Sequence, residues 1–214
     1  MSLTTFAFVL IAAAGCVCAL VAAQHDAVRA YIGSKALGSL GFIGVGLSVG
    51  ATHAPWSRVV LVALLLSAVG DVALAVPGNR GFLIGLGSFA LAHVTFVGAF
   101  LLHGVRSEVL LVASVFGALV AVTAWLTLRG LVSGRLRWAV EVYVAIVSAM
   151  LAVGSASAYS HRAWLLGCGV VLVVGSDAAV ARERFAAPGL VNKLVGLPAY
   201  YAGQLLIALS LVAK

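Results

Sequence analysis

Lys35, Asp71, Glu141 and Asp177 are ionisable side chains set inside apolar stretches long enough to be helices, as in "LLLSAVGDVALAV" around Asp71 and "VLVVGSDAAVA" around Asp177. A charge in such a setting is expensive, on the order of 3 kcal/mol near the middle of a membrane by insertion scales, so residues kept there usually have a task. Two carboxylates held in one dry layer suit general acid/base chemistry. Burial and mutual repulsion favour a single proton shared between them, leaving one acid to donate and one anion to steady positive charge or activate water. Lys35 could keep one of them charged, could bind an anionic group, or could simply snorkel from a helix end.

The elements that must hold these residues are membrane helices. The chain is 64% hydrophobic with 9% charged residues and a mean hydropathy of +1.19, outside the range of a soluble domain. Eight apolar stretches, at about 3–23, 31–51, 58–76, 81–102, 107–128, 137–158, 162–181 and 191–213, are each long enough to cross a ~30 Å hydrocarbon core. The breaks between them, such as "PGNR", "SHR" and "RERFAAPG", are short and carry turn chemistry and most of the charge, so residues 1–214 read as a single transmembrane domain. The first stretch is read as a span rather than a leader, because no Lys or Arg precedes it and seven more follow. Cys16, Cys18 and Cys168 fall inside spans, where cysteine acts as a small apolar residue.

Loops after odd-numbered spans, with the helix ends they join, hold Arg29, Lys35, Arg80, Arg129, Arg135, Arg137, Arg182, Arg184 and Lys193. The other side holds Arg58, Arg106, Arg162 and Lys214. The positive-inside rule then puts the first set in the cytoplasm and both termini outside, in a multi-pass protein of the cell membrane. The net charge of +7 follows from this topology and from contact with anionic membrane lipids, and no nucleic-acid partner is expected.

Depth groups the buried charges. Asp71 lies about 9 Å from the cytoplasmic end of its span, given Pro77 and a rise of 1.5 Å per residue. Asp177, Lys35 and Glu141 lie four or five residues from the same end of theirs, so all four share one layer in the cytoplasmic half. Tyr143 and Ser176 belong to that layer, with Tyr200 and Tyr201 deeper. Lys35 and Glu141 are 106 residues apart, and so are Asp71 and Asp177. This offset predicts a 4+4 tandem repeat, halves 1–105 and 106–214, parallel because each half has an even number of spans. A pseudo-twofold axis along the membrane normal could then face Asp71 toward Asp177. The second span, "YIGSKALGSLGFIGVGLSVG", is rich in small residues that allow close helix approach, which predicts a central helix with Lys35 turned inward.

His93 is the histidine nearest the middle of a span. Without neighbours at helical spacing it cannot build a three-histidine zinc site, so neither metal nor cofactor is expected. As a lone interior histidine it is either a helix-to-helix hydrogen bonder or a catalytic group, and Gln204 carries the same ambiguity. Trp56, Trp125, Trp138 and Trp164 sit near span ends as interfacial anchors.

The strings "LLLSAVGDVALA", "GFLIGLGSFALAHVTFVGAF", "GCGVVLVVGSDAAVARERF" and "PAYYAGQLLIALSL", in this order, resemble the YhhN-like lysoplasmalogenase family. Position by position, Asp71, His93, Ser176, Asp177, Tyr201 and Gln204 fall on the family's polar motifs. Lys35 resembles a Lys-Pro in its second helix, with Ala36 here in place of the proline. The resemblance implies an eight-helix enzyme that hydrolyses the vinyl ether bond of lysoplasmalogens, a class of lysophospholipid. The products would be a fatty aldehyde and a glycerophosphoethanolamine or glycerophosphocholine. Protonation at carbon, an oxocarbenium ion and water attack make demands like those of glycoside hydrolysis. Asp71 and Asp177 are the expected catalytic pair, with acid and base unassigned. Lys35, His93, Glu141, Tyr143, Ser176, Tyr201 and Gln204 are the expected supports. Two other readings of the same charges remain at this level: a small proton-coupled transporter or ion pathway, and two ion pairs that only stitch helices together.

Overall fold

A computed structural model describes residues 1–212, apart from the Arg135 side chain. Its helices are α1 (Leu3–Gln24), α2 (Val28–Ser48), α3 (Pro55–Ala75), α4 (Asn79–His103), α5 (Ser107–Leu128), α6 (Gly134–Ser160), α7 (Trp164–Ala181) and α8 (Leu190–Leu209). No strand occurs among the described residues, and a π-helical turn at Arg182–Ala186 extends α7. The end of the eighth expected span, Lys214 and the Arg135 side chain lie outside the described residues.

Helices form here because hydrocarbon offers the backbone no partner, so each stretch must satisfy its own N–H and C=O groups. Local signals set the ends. The Ser2 hydroxyl accepts from the Thr5 N–H to cap α1, and Pro55 opens α3, where its missing N–H costs nothing. Seven helices are long and apolar enough to span a membrane. The exception is α8, where Asn192, Lys193, Tyr200, Tyr201 and Gln204 dilute the apolar run. Most of those polar residues are buried, so α8 spends its polarity on the interior of the bundle.

The helices pair as hairpins, α1–α2, α3–α4, α5–α6 and α7–α8. Further packing joins α2 to α3, α4 to α6, α6 to α7, and α8 to both α1 and α2. By contrast, α5 packs chiefly on α6 and leaves Leu111, Val115, Phe116 and Leu119 turned outward. Small residues permit close crossings: a Cβ added to Gly41 of α2 would lie 2.5 Å from the Ala12 backbone nitrogen of α1, and one added to Gly203 of α8 would lie 2.9 Å from the Gly169 carbonyl oxygen of α7.

The bundle differs between its two ends. Toward the α2–α3, α4–α5 and α6–α7 turns, the interior is filled by Leu64, Phe96, Phe100, Leu166 and Ile207, all fully buried. Toward the turns after α1, α3 and α7, where the basic residues cluster, it holds the cavity described next.

Candidate active site

A cavity of about 670 Å³ opens at the basic end and is lined by Lys35, Asp71, Tyr143, Ser176, Asp177 and Tyr200 among others. Both aspartates therefore meet one space, from α3 and from α7.

Asp71 is 1% exposed and its carboxylate is saturated. Oδ1 lies 2.9 Å from Lys35 Nζ, while Oδ2 accepts from Ser39 Oγ at 2.7 Å and, at 3.4 Å, shares the single Tyr201 hydroxyl proton with the Lys35 backbone carbonyl. The Tyr201 hydroxyl also lies 3.1 Å from the Lys35 backbone carbonyl, and so ties α8 to α2 and α3 at once. Its ring can lie there because α2 has Gly38 beneath it: a Cβ at that position would come within 2.6 Å of the ring. Lys35 itself is 5% exposed, turned inward rather than snorkelling. Full pairing of this kind is what makes a buried charge tolerable.

Asp177 is held differently. Its side chain keeps 17% exposure, and Oδ2 lies 3.3 Å from Nε2 of the buried His93. The distance suits an ion pair, yet neither atom has an aligned hydrogen bond. His93 Nδ1 bonds the Phe89 carbonyl one turn back on α4. A carbonyl only accepts, so Nδ1 carries hydrogen, and in the neutral ring Nε2 is a bare acceptor. A favourable contact between Nε2 and Oδ2 then requires one proton between them, on the imidazole or on the carboxyl. Tyr143 of α6 completes the group: its ring meets the His93 ring edge to face at 5.6 Å, and it lines the cavity beside Asp177.

The family model of the YhhN family matches residues 30–211. The chain is 30% identical over 177 residues to lysoplasmalogenase TMEM86A of Bos taurus, covering 78% of this chain and 70% of that one. It is 33% identical over 159 residues to a lysoplasmalogenase of Mycobacterium tuberculosis, covering 70% of this chain and 59% of that one. The chain belongs to the YhhN family. No solved structure matches it.

Around the cavity of this YhhN chain, the expected residues divide. Lys35, Asp71 and Tyr201 form one cluster, and His93, Asp177 and Tyr143 another. Ser176 lines the cavity but gives its hydroxyl to the Val173 carbonyl of its own helix at 2.6 Å. Gln204 is fully buried with neither amide atom bonded, and it faces Tyr200, whose hydroxyl lies 3.5 Å from the Ser67 carbonyl oxygen. Glu141 stands apart. It pairs with Arg137 at 2.8 Å and accepts from the Trp125 indole at 3.3 Å, in a separate outward groove between α5 and α6. An arginine one turn earlier on the same helix is its nearest cation, and that local pairing turns Glu141 away from Asp177.

Ser39 is the site residue that the sequence reading passes over. It stands one helical turn after Lys35, so both reach the same face of α2 and the same carboxylate. That spacing was the signal available. Tyr31, one turn before Lys35, sits at the cavity mouth for the same reason.

Proposed function

We propose that this chain is a membrane-embedded hydrolase that cleaves the vinyl ether bond of lysoplasmalogens, releasing a fatty aldehyde and a glycerophospho-ethanolamine or -choline. The observation that carries the reading is the single cavity, closed at one end by aromatic packing, with a saturated carboxylate on one wall and a histidine-backed carboxylate on the other. The printed names of its relatives point to the same substrate class.

In this mechanism the proton shared by His93 and Asp177 is the acid. Asp177 delivers it to the vinyl carbon remote from the ether oxygen, where the double-bond electron pair forms the new C–H bond. The positive charge that develops on the adjacent carbon and oxygen faces the Asp71 carboxylate, which is ion-paired with Lys35. Water then adds to that carbon and passes a proton back to Asp177. The hemiacetal collapses as its C–O bond to glycerol breaks, a new C=O forms, and the departing oxygen takes up the hydroxyl proton through the same dyad. Acid/base help of this kind is worth about 10²–10⁴-fold.

The hydrocarbon chain has a route. Phe82, Leu86 and Phe89 of α4 face Val120, Ala124 and Leu128 of α5 across the cavity, and no packing comparable to that of the hairpins joins these two helices. The gap leads from the site to the lipid face. Packing partners also correspond under a shift of four helices: α2–α3 with α6–α7, and α4–α6 with α8–α2. This supports a parallel repeat in which α8 spans the membrane as α4 does. The contact of α1 with α8 has no counterpart between α5 and α4, which is where the gap lies. The basic loops favour a cytoplasmic mouth with both termini outside.

The test is aldehyde release by purified protein in detergent from a 1-alkenyl lysophospholipid, beside its acyl and alkyl-ether analogues. Turnover of the alkenyl lipid alone is expected. Equal consumption of the acyl analogue, or no aldehyde from the alkenyl lipid, sinks the reading. A carrier would instead require sealed vesicles and a gradient.

A further inference from the structure

We infer that Lys193, with the Tyr31 ring beside it, binds the phosphodiester of the lysolipid, so that the substrate sits head-out at the basic mouth. This rests on the hydrolase reading and assigns the head-group end of the same cavity.

Lys193 lies in the first turn of α8, is half-buried and lines the cavity. Its Nζ is 6.0 Å from the centre of the Tyr31 ring, and Lys35 Nζ is 5.8 Å from that same ring. The two ammonium groups are therefore no more than about 12 Å apart, on the path from mouth to reacting layer. A glycerol backbone, roughly 6 Å from ether oxygen to phosphorus by ordinary bond lengths, fits within that span.

The other cations lining the cavity are engaged. Lys35 is held by Asp71 at 2.9 Å. Arg182 donates to the Asn192 side-chain carbonyl at 2.7 Å, while Arg184 donates to that of Asn79 at 2.7 Å and stacks on the Phe82 ring. Glu183, the carboxylate closest in sequence to Lys193, accepts from the Gly189 N–H and the Asn192 amide at 2.7 Å each. Among the described residues, neither the Lys193 ammonium nor the Tyr31 hydroxyl has a hydrogen-bonding partner. A phosphate oxyanion would satisfy both, in a charge-assisted bond at a partly desolvated site. The rim also carries Asp26, so the mouth presents both signs, the pattern of a zwitterionic head group.

The test compares wild-type protein, Lys193→Met and Lys193→Arg on a 1-alkenyl lysophospholipid and on the matching 1-alkenylglycerol, which lacks phosphate. Lys193→Met is expected to raise KM for the phospholipid about tenfold with kcat unchanged, the scale of one charge-assisted bond. It should leave KM for the alkenylglycerol where it was, and Lys193→Arg should retain most of the affinity. An equal effect on both substrates, or none on either, overturns the assignment. Binding of a non-hydrolysable alkyl-ether lysophospholipid separates this inference from the reading beneath it. If that lipid binds through Lys193 while wild-type protein releases no aldehyde, the hydrolase reading fails and the site stands. If aldehyde is released and the lipid binds Lys193→Met as well as wild type, the site fails and the hydrolase reading stands.

Discussion

Asp71 on α3 and Asp177 on α7 meet one cavity, yet their surroundings are opposite in kind. Asp71 is surrounded by donors: an ammonium and two hydroxyls occupy both oxygens, and α2, α3 and α8 are bound together through it. Asp177 has a histidine at ion-pair distance without an aligned hydrogen bond, a tyrosine nearby and an opening to the cavity. A saturated carboxylate stabilises a structure and a fixed charge. One with an unfinished contact to a titratable base can gain and lose a proton at little structural cost. On the proposed mechanism, this difference puts the moving proton on the Asp177 side and the standing charge on the Asp71 side.

That contrast can be broken by experiment. Asp177→Asn is expected to lower kcat by about 10³-fold, within the range for a lost general acid, while the melting temperature in detergent changes little. A large loss of stability there would place Asp177 in the same class as Asp71. Asp71→Asn should instead destabilise the fold by roughly 3–5 kcal/mol, because it strands the Lys35 ammonium in the interior. Combining Lys35→Met with Asp71→Leu should recover most of that stability without recovering turnover; recovery of turnover would show that the pair only stitches helices. Tyr201→Phe removes one donor to Asp71 and one strut to α2, for about 1 kcal/mol in a denaturant titration. Glu141→Gln, at the outward groove, is expected to leave both turnover and melting temperature unchanged.

Much of the architecture was legible in the residues, because hydrocarbon imposes a length and an apolarity that can be read one helix at a time. The spans at 3–23, 58–76 and 107–128 lie within or nearly within the helices Leu3–Gln24, Pro55–Ala75 and Ser107–Leu128. Asp71, Asp177 and Lys35 were legible for a related reason: a charge in an apolar run is costly wherever the helix is placed. Partners were harder. The 106-residue offset matches Lys35 with Glu141, but in space Lys35 meets Asp71, and Glu141 meets an arginine one turn away. An offset orders residues by position in a repeat and says nothing of where a side chain turns once a nearer counter-charge exists.

What the sequence alone determined is the solvent of this protein, its helical class and the position of its charges along each helix, since each depends on local composition and a fixed rise per residue. Tertiary structure alone decided which charge is satisfied and which is left open. Ser39 and Tyr201 reach Asp71, and His93 reaches Asp177, only because small residues let α2 and α8 approach and because α4 packs on α6 rather than on α5. Those distances depend on helix crossings between residues 32 to 130 positions apart, and no local pattern encodes them.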